Sequence, residues 1–184
     1  HETSASALTW ALYLVASCPH TQQAMLQEAQ DAAPISPDSI RPMVLTRDVF
    51  RETLRLYPPV SFLMREVATP TRMRNKDVKP GDLLVVSPWL VQRNEDNFPC
   101  PHAFRPERFE DDAQREACKH AYLPFGKGPR ICIGAGFAQQ EAILVLASMV
   151  QHFELSVPAG EKPEPISRLT IRPRTGMKLL FERI

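Results

Sequence analysis

Apolar residues recur every three or four positions in three segments near the start of the chain, which is the spacing of a helix with one buried face. A proline-containing stretch follows each segment and ends it, because proline disfavours a helical conformation in the residue before it. The sequence therefore predicts helices over residues 3–14 and 19–33, and a third that ends before the Tyr-Pro-Pro sequence at 57–59. The apolar positions that define the first and third helices are Ala7, Trp10, Ala11, Leu14, Leu45, Val49, Phe50 and Leu54.

The middle of the chain changes to short runs of apolar and β-branched residues. Residues 60–67 and 82–92 have this composition, and the Lys-Pro-Gly-Asp sequence at 79–82 predicts a turn between two strands. Residues 94–109 contain three prolines and are predicted to form a loop. The last segment, 168–184, predicts a hairpin that turns at the Arg-Thr-Gly sequence of residues 174–176.

Residues 136–153 carry the strongest helical pattern of the chain. A helix that is apolar on nearly every side is buried in a core, so we expect this segment to pack inside the molecule. Together, these elements predict an α+β fold class, mainly α with small β-sheets. The apolar positions of the last helix are Ala138, Ala142, Leu144, Val145, Leu146, Met149, Val150 and Phe153.

Composition narrows the classes of protein that this chain can be. Its 184 residues include 43% hydrophobic and 23% charged residues, which is typical of a globular domain or of a large piece of one. A net charge of +1 argues against a nucleic-acid-binding surface. The chain begins without methionine and is interpreted as a fragment or a processed piece, so a membrane anchor before residue 1 stays an open alternative.

Four widely spaced cysteines lack the Cys-x-x-Cys spacing of a structural zinc site and predict an intracellular, cytoplasmic location. One of them, Cys132, ends a basic, glycine-rich loop at residues 123–134. A free cysteine has a pKa near ~8.5, and the N-terminus of the following helix would lower it and favour the metal-binding thiolate. A buried, inert cysteine is the alternative.

The ten residues 125–134, Phe-Gly-Lys-Gly-Pro-Arg-Ile-Cys-Ile-Gly, resemble the F-x-x-G-x-R-x-C-x-G loop of the cytochrome P-450 family, the haem-thiolate monooxygenases. The resemblance implies that Cys132 is the axial thiolate ligand of the iron of haem b. It also implies that Arg130 pairs with a haem propionate. Phe125, Gly126 and Gly134 are then cofactor-binding residues beside the sulfur.

A second resemblance involves Glu52 and Arg55, three positions apart on a predicted helix, and Arg108 in a Pro-Glu-Arg-Phe sequence. On spacing alone, the first two residues would form an ordinary surface ion pair. They resemble the family's E-x-x-R helix and P-E-R-F loop, whose acid and two arginines form one buried structural network. Because such a network would leave two cations unpaired without its acid, we expect loss of Glu52 to cost several kcal/mol of stability or to abolish haem incorporation.

Three further residues are assigned by resemblance. Arg65 resembles the second propionate ligand, and an exposed arginine at a strand edge is the alternative. Glu2 and Thr3 resemble the acid and alcohol of the oxygen-binding helix, which implies that Thr3 binds dioxygen and that Glu2 relays protons. A capping role at a helix start is the alternative for this pair.

The resemblance covers residues 1–184 and implies the C-terminal, haem-binding part of the family fold, with the N-terminal half absent. The implied reaction inserts one oxygen atom of dioxygen into a hydrophobic substrate, whose pocket the segments 60–64 and 169–175 would edge. Electrons would come from NAD(P)H through a ferredoxin or a flavoprotein reductase, separate or fused. Lys127, Lys119 and Arg115 would form the basic docking surface for this partner.

Two alternative functions remain open on the sequence alone, and a third is disfavoured. The chain could be a haem-thiolate peroxide isomerase or peroxygenase, which the acid-alcohol pair disfavours, or an inactive truncated fragment without haem. A hydrolase with a nucleophilic cysteine would need a histidine base, and the sequence around its histidines carries no supporting motif. These histidines are at positions 1, 20, 102, 120 and 152.

Overall fold

The computed structural model describes residues 1–184 and contains six α-helices, eight short strands and two 3₁₀ helices. The helices are α1 (Glu2–Ala16), α2 (Pro19–Asp31), α3 (Val44–Leu56), α4 (Pro88–Val91), α5 (Asp112–Cys118) and α6 (Ala135–His152). The strands are β1 (Leu63–Glu66), β2 (Thr71–Met73), β3 (Lys76–Val78), β4 (Leu83–Val86), β5 (Phe153–Ser156), β6 (Pro165–Ser167), β7 (Ile171–Pro173) and β8 (Leu180–Arg183). The 3₁₀ helices span Pro106–Phe109 and Gly128–Arg130.

The core lies between α1, α2, α3 and α6. Small residues such as Ala7 and Ala11 let α1 approach its neighbours closely, and Leu146 of α6 is fully buried in the same cluster. The strands pair only in twos, as antiparallel sheets β1–β4, β2–β3, β5–β8 and β6–β7. The predicted class, mainly α with small β-sheets, is therefore confirmed.

The predicted hairpin at residues 174–176 is wrong, because the two strands that flank this turn do not pair with each other. β7 pairs with β6, and β8 pairs with β5 at the end of α6. The pairing of β7 with β6 is favoured because the connection between them is short. Arg168 N–H donates to the carbonyl of Thr170 and closes this turn.

The prediction that residues 82–92 form one strand is also wrong for its second half. β4 ends at Val86, and the side chain of Ser87 then accepts a hydrogen bond from Leu90 N–H and caps α4. Pro88 occupies the first turn of that helix, where its missing N–H costs nothing. The predicted loop at 94–109 contains the 3₁₀ helix Pro106–Phe109, while α5 and the β2–β3 hairpin were not predicted.

α6 is buried only in its later turns. Ala142, Leu146 and Val150 face the core, whereas Phe137 in the first turn is 71% exposed. The helix begins three residues after Cys132, so its exposed first turn directly follows the loop of residues 123–134, called the cysteine loop below. No helix in the structure has the length and apolar character that crossing a bilayer requires.

Candidate functional site

A cavity of about 560 Å³ lies where α1, α3, the cysteine loop and the first turns of α6 meet. Its size is within the range of cofactor and ligand sites, and more than half of its lining is apolar. The apolar lining includes Ala7, Phe50, Leu54, Pro59, Val60, Leu63, Phe125 and Phe137. The polar lining includes His1, Thr3, Ser4, Arg130, Cys132 and Glu141.

The cysteine loop folds back on itself and directs its thiol to this cavity. Gly126 and Gly128 have φ angles of 75° and 78°, a left-handed conformation that residues with a Cβ rarely adopt. Cys132 N–H then donates to the carbonyl of Phe125 at 2.9 Å, which brings the main chain of these two residues together across the loop. Cys132 is exposed and lines the cavity.

The donor set of the cavity suits one kind of cofactor. Cys132 supplies the single thiol of this largely apolar lining, and Arg130 is its one arginine or lysine. Such a site fits an apolar cofactor whose metal accepts one sulfur ligand and whose anionic substituents need a cation, as haem does. A Cβ at position 134 would lie 3.9 Å from Cys132 Sγ, so glycine there leaves space on that side of the sulfur.

The structure brings five predicted site residues to the cavity, namely Thr3, Phe125, Arg130, Cys132 and Gly134. The others lie outside its lining. Glu2 is exposed, one residue before Thr3 on α1. Gly126 lies next to a lining residue, because a Cβ at this position would be 3.9 Å from Leu63 Cδ1.

Arg65 also lies outside the lining. Its side chain is exposed, and Nη1 donates to the carbonyl of Met64 at 2.7 Å. Because side chains alternate along a strand, Arg65 shares a face of β1 with Leu63, which does line the cavity. Arg65 therefore lies two residues along β1 from Leu63, on the same face of the strand.

Glu52, Arg55 and Arg108 form one buried network behind the loop. Arg55 holds both carboxylate oxygens of Glu52, with Nε–Oε2 at 2.7 Å and Nη2–Oε1 at 2.8 Å. Arg108 Nε donates to the same carboxylate at 3.1 Å. Glu52 and Arg55 are 0% exposed and Arg108 is 3% exposed, so the charges are paired away from water.

The two arginines also hold the segment before the Pro-Glu-Arg-Phe sequence. Arg55 Nη1 donates to the carbonyls of Gln92 and Pro101 at 2.8 and 2.7 Å. Arg108 donates to the carbonyls of Pro99 and Cys100. The network therefore fixes main chain that has no regular secondary structure of its own.

A cluster of aromatic rings and one arginine supports the chain that leaves α3. The rings of Trp10 and Tyr57 stack at 3.9 Å, and Arg93 lies 3.4 Å from the centre of the Trp89 ring. Burial lowers the pKa of Arg93 to about 10, and burial also raises the pKa of Tyr57. The cluster joins α1, α3 and α4 just before Pro59 and Val60 reach the cavity.

Sequence reasoning missed Gln92, a fully buried side chain. Its Nε2 donates to the carbonyls of Leu54 and Arg55, and its Oε1 accepts from Leu123 N–H at 2.7 Å. These partners are 31 to 38 residues away along the chain, and a glutamine within an apolar run carries no motif that points to them.

Two of the three residues predicted to form a basic docking surface have acidic partners. Arg115 pairs with Asp112, and Lys119 Nζ lies 3.0 Å from Glu116. Lys127 has no acidic partner, and its Nζ lies 2.9 Å from His120 Nδ1. Of the segments predicted to edge a substrate pocket, 60–64 lines the cavity through Val60 and Leu63, whereas Leu169 is 83% exposed outside it.

Comparison with known proteins agrees with this geometry. The sequence profile described as Cytochrome P450 matches residues 1–181. Cytochrome P450 4d2 of Drosophila melanogaster is 32% identical over 97% of this chain, and taurochenodeoxycholic 6 alpha-hydroxylase of Sus scrofa is 34% identical over 100% of it. The crystal structure of a cytochrome P450 (CYP102L1) superposes with a TM-score of 0.91 over 100% of this chain, at 29% identity.

The match covers a minor part of each known protein. The chain spans 36% and 37% of the length of the two curated relatives and 42% of the crystallised chain.

Proposed function

Because the chain belongs to the cytochrome P450 family, we propose that it is the haem-binding segment of a haem-thiolate monooxygenase, with Cys132 as the iron ligand. The observation that carries this proposal is that a single cysteine and Arg130 line the same largely apolar cavity of about 560 Å³. A bound haem would supply the activation of dioxygen, a chemistry that no side chain can perform.

The loop residues prepare the site for the cofactor. Phe125 packs against the hydrophobic core and lines the cavity beside Cys132, so its ring adds apolar surface that would favour an iron–sulfur bond over hydration of a free thiolate. Gly134 leaves the space beside the sulfur open. Arg130 would pair with one propionate of a bound haem, and Arg65, two residues beyond Leu63 on the same face of β1, would pair with the second.

Two residues at the start of α1 are proposed to handle protons. Thr3 lines the cavity, so its hydroxyl can hold a proton there. Glu2 is next to it in sequence and open to solvent, so its carboxylate can exchange protons with water. The pair is proposed to pass protons from solvent to the cavity.

The apolar lining supports a hydrophobic organic substrate, with dioxygen as the second substrate and electrons from NAD(P)H through a redox partner. One relative of this chain is named as a hydroxylase, which supports insertion of oxygen as the reaction type. Lys127, within the cysteine loop, has no acidic partner in the chain and is available to an acidic redox partner.

Isotope labelling tests the proposed reaction. The haem-loaded protein is supplied with NADPH, a reductase, labelled dioxygen and toluene as an apolar probe. We expect a hydroxylated product that carries the labelled oxygen, and no product from the Cys132→Ser variant. A product that forms only with added hydroperoxide, without label from dioxygen, would instead assign the chain to the peroxide-using alternative.

A further inference from the structure

We propose that Gln92 is a positioning residue that ties the Cys132 loop to the end of α3, where the buried Glu52–Arg55 pair lies. Its consequence for the iron–sulfur bond rests on the proposed function, whereas its consequence for the loop can be measured on the protein without haem. Neither the motif residues nor the cavity lining includes Gln92.

The first step concerns two carbonyl groups at the end of α3. In a continuing helix, the carbonyls of Leu54 and Arg55 would accept hydrogen bonds from the residues four positions later, which are Pro58 and Pro59. Proline has no N–H, so both acceptors are left without a helical partner. The Nε2 group of Gln92 donates to both carbonyls, at 3.1 and 2.9 Å.

The second step concerns the other end of the same amide. Because Nε2 uses both of its hydrogens on α3, the carbonyl Oε1 of Gln92 has a single possible orientation. It accepts a hydrogen bond of 2.7 Å from Leu123 N–H, the first residue of the cysteine loop. The side chain is 0% exposed, so water cannot replace either contact in the folded protein.

The third step leads from Leu123 to the sulfur through the loop's own main chain. The carbonyl of Leu123 accepts from Gly126 N–H at 3.1 Å, and Cys132 N–H donates to Phe125 at 2.9 Å. The main-chain carbonyl of Gln92 also accepts from Arg55 Nη1. One residue therefore contacts the arginine of the buried network and the start of the turn that carries the thiol.

Two substitutions of Gln92 by side chains of similar length remove different subsets of these contacts. Gln92→Met keeps the volume but leaves two carbonyls and the Leu123 N–H unpaired. Gln92→Glu keeps an oxygen that accepts from Leu123 N–H. Its second oxygen replaces the Nε2 donor and would face the carbonyl oxygens of Leu54 and Arg55 without a hydrogen to donate. We therefore expect the methionine variant to release the loop and the glutamate variant to loosen mainly its attachment to α3.

The chain offers a matched control in Gln22, a second buried glutamine. Its Nε2 donates to the carbonyl of Leu155, and its Oε1 accepts from Leu155 N–H, so it also binds main chain from another element. Gln22→Met therefore removes a comparable pair of contacts from β5, far along the chain from the cysteine loop.

Hydrogen exchange of residues 123–132 tests the inference on the protein without haem. We expect Gln92→Met to speed exchange of the Leu123 and Cys132 amides by about tenfold or more, the factor that follows from one lost buried hydrogen bond. Gln22→Met should leave these amides unchanged and speed exchange in β5. Equal effects of both variants on the loop, or none from Gln92→Met, would overturn the inference. If Gln92→Met does not fold, Gln92→Glu is measured in the same way: faster exchange at the end of α3 supports the inference, and unchanged exchange contradicts it.

A second readout uses the protein loaded with haem. We expect Gln92→Met to lower the fraction of thiolate-ligated iron in the carbon monoxide spectrum, and Gln22→Met to leave that fraction unchanged at equal loss of thermal stability. A wild-type spectrum without thiolate ligation would refute the proposed function but leave the exchange result valid. A normal thiolate fraction in Gln92→Met would remove the role of this residue in positioning the sulfur.

Discussion

Single side chains in this protein pair main-chain groups that regular secondary structure leaves open. Glu28 of α2 is an example, because its carboxylate accepts from the N–H groups of Leu45 and Thr46 at 2.8 Å and from the Thr46 hydroxyl. The first N–H groups of a helix have no partner within it, so Glu28 caps α3 from a distance. α3 in turn carries Glu52 and Arg55 to the buried network behind the cysteine loop.

A residue-scale prediction concerns the exposed pair of Glu164 and Arg174 beside the β6–β7 hairpin. The hydrogen bonds from Arg174 hold the pKa of the Glu164 carboxyl below its ordinary value. The pair therefore stabilises the folded chain above the pKa of the unfolded carboxyl, and this contribution is lost as the pH falls through the folded value. Titration by nuclear magnetic resonance should find that Arg174→Gln raises the Glu164 pKa towards about 4.3. The control is Arg172→Gln, which removes an exposed charge from β7 and should leave the titration unchanged; equal shifts in both variants would contradict a specific pair.

Residues were predictable where their spacing carried a motif and not where their partners were distant. Cys132, Arg130 and the Glu52–Arg55 pair stand in patterns that a single sequence reveals. Glu28 and Gln92 act on residues 17 to 38 positions away, and many glutamates and glutamines in helices and apolar runs have no such role. Their contacts depend on how α2, α3 and the cysteine loop are placed.

At the scale of elements, α3 is attached to the 3₁₀ helix Pro106–Phe109 by charge. Glu52 Oε1 accepts from Arg105 N–H at 3.0 Å as well as from Arg55 and Arg108, so one carboxylate joins both elements. Main-chain carbonyls accept further hydrogen bonds from both guanidinium groups. Removal of the acid would leave two buried cations without a counter-charge.

The corresponding prediction is that Glu52→Ala lowers the free energy of unfolding by about 3–5 kcal/mol, the usual cost of breaking a buried ion pair. Urea unfolding followed by circular dichroism measures this loss. Glu110→Ala, an exposed acid one residue beyond the 3₁₀ helix, is the control and should change stability little. If the two variants unfold at the same urea concentration, the network does not stabilise the protein.

The spacing of apolar residues predicted the long helices correctly but did not predict which strands pair. α1, α2, α3 and α6 each have enough turns for their apolar spacing to emerge from the sequence. The strands have three or four residues, and β8 pairs with β5 across about two dozen intervening residues. The choice of partner therefore depended on the packed positions of α6 and the β6–β7 hairpin, which local turn residues do not reveal.

At the scale of the whole molecule, the cavity is lined by elements that are distant from each other along the chain. α1 supplies Thr3 and Ala7, while the loop before α6 supplies Arg130 and Cys132. The α+β class and the family were predictable from the chain alone. The pairing of Arg115 and Lys119 with neighbouring acids was not predicted. It reduces the predicted basic docking surface to Lys127.

This reduced surface leads to a prediction about electron delivery. If an acidic redox partner docks near the cysteine loop, Lys127→Glu should slow reduction of the haem by on the order of tenfold at low salt. Stopped-flow reduction measures the rate, and haem content should not change. Lys162→Glu makes the same charge change on the connection between β5 and β6 and should have a smaller effect. Equal slowing at high and low salt would contradict an electrostatic role, because salt screens exposed charges.

The central claim is that the sulfur of Cys132 binds haem iron, and the spectrum of the reduced, carbon monoxide-bound protein tests it most directly. A thiolate ligand gives a strongly red-shifted Soret band that a histidine ligand does not give. The spectrum is recorded for the haem-loaded protein and for Cys132→His at equal haem content. We predict the red-shifted band in the first and its absence in the second. The same band position in both proteins would show that another residue holds the iron and would contradict the account.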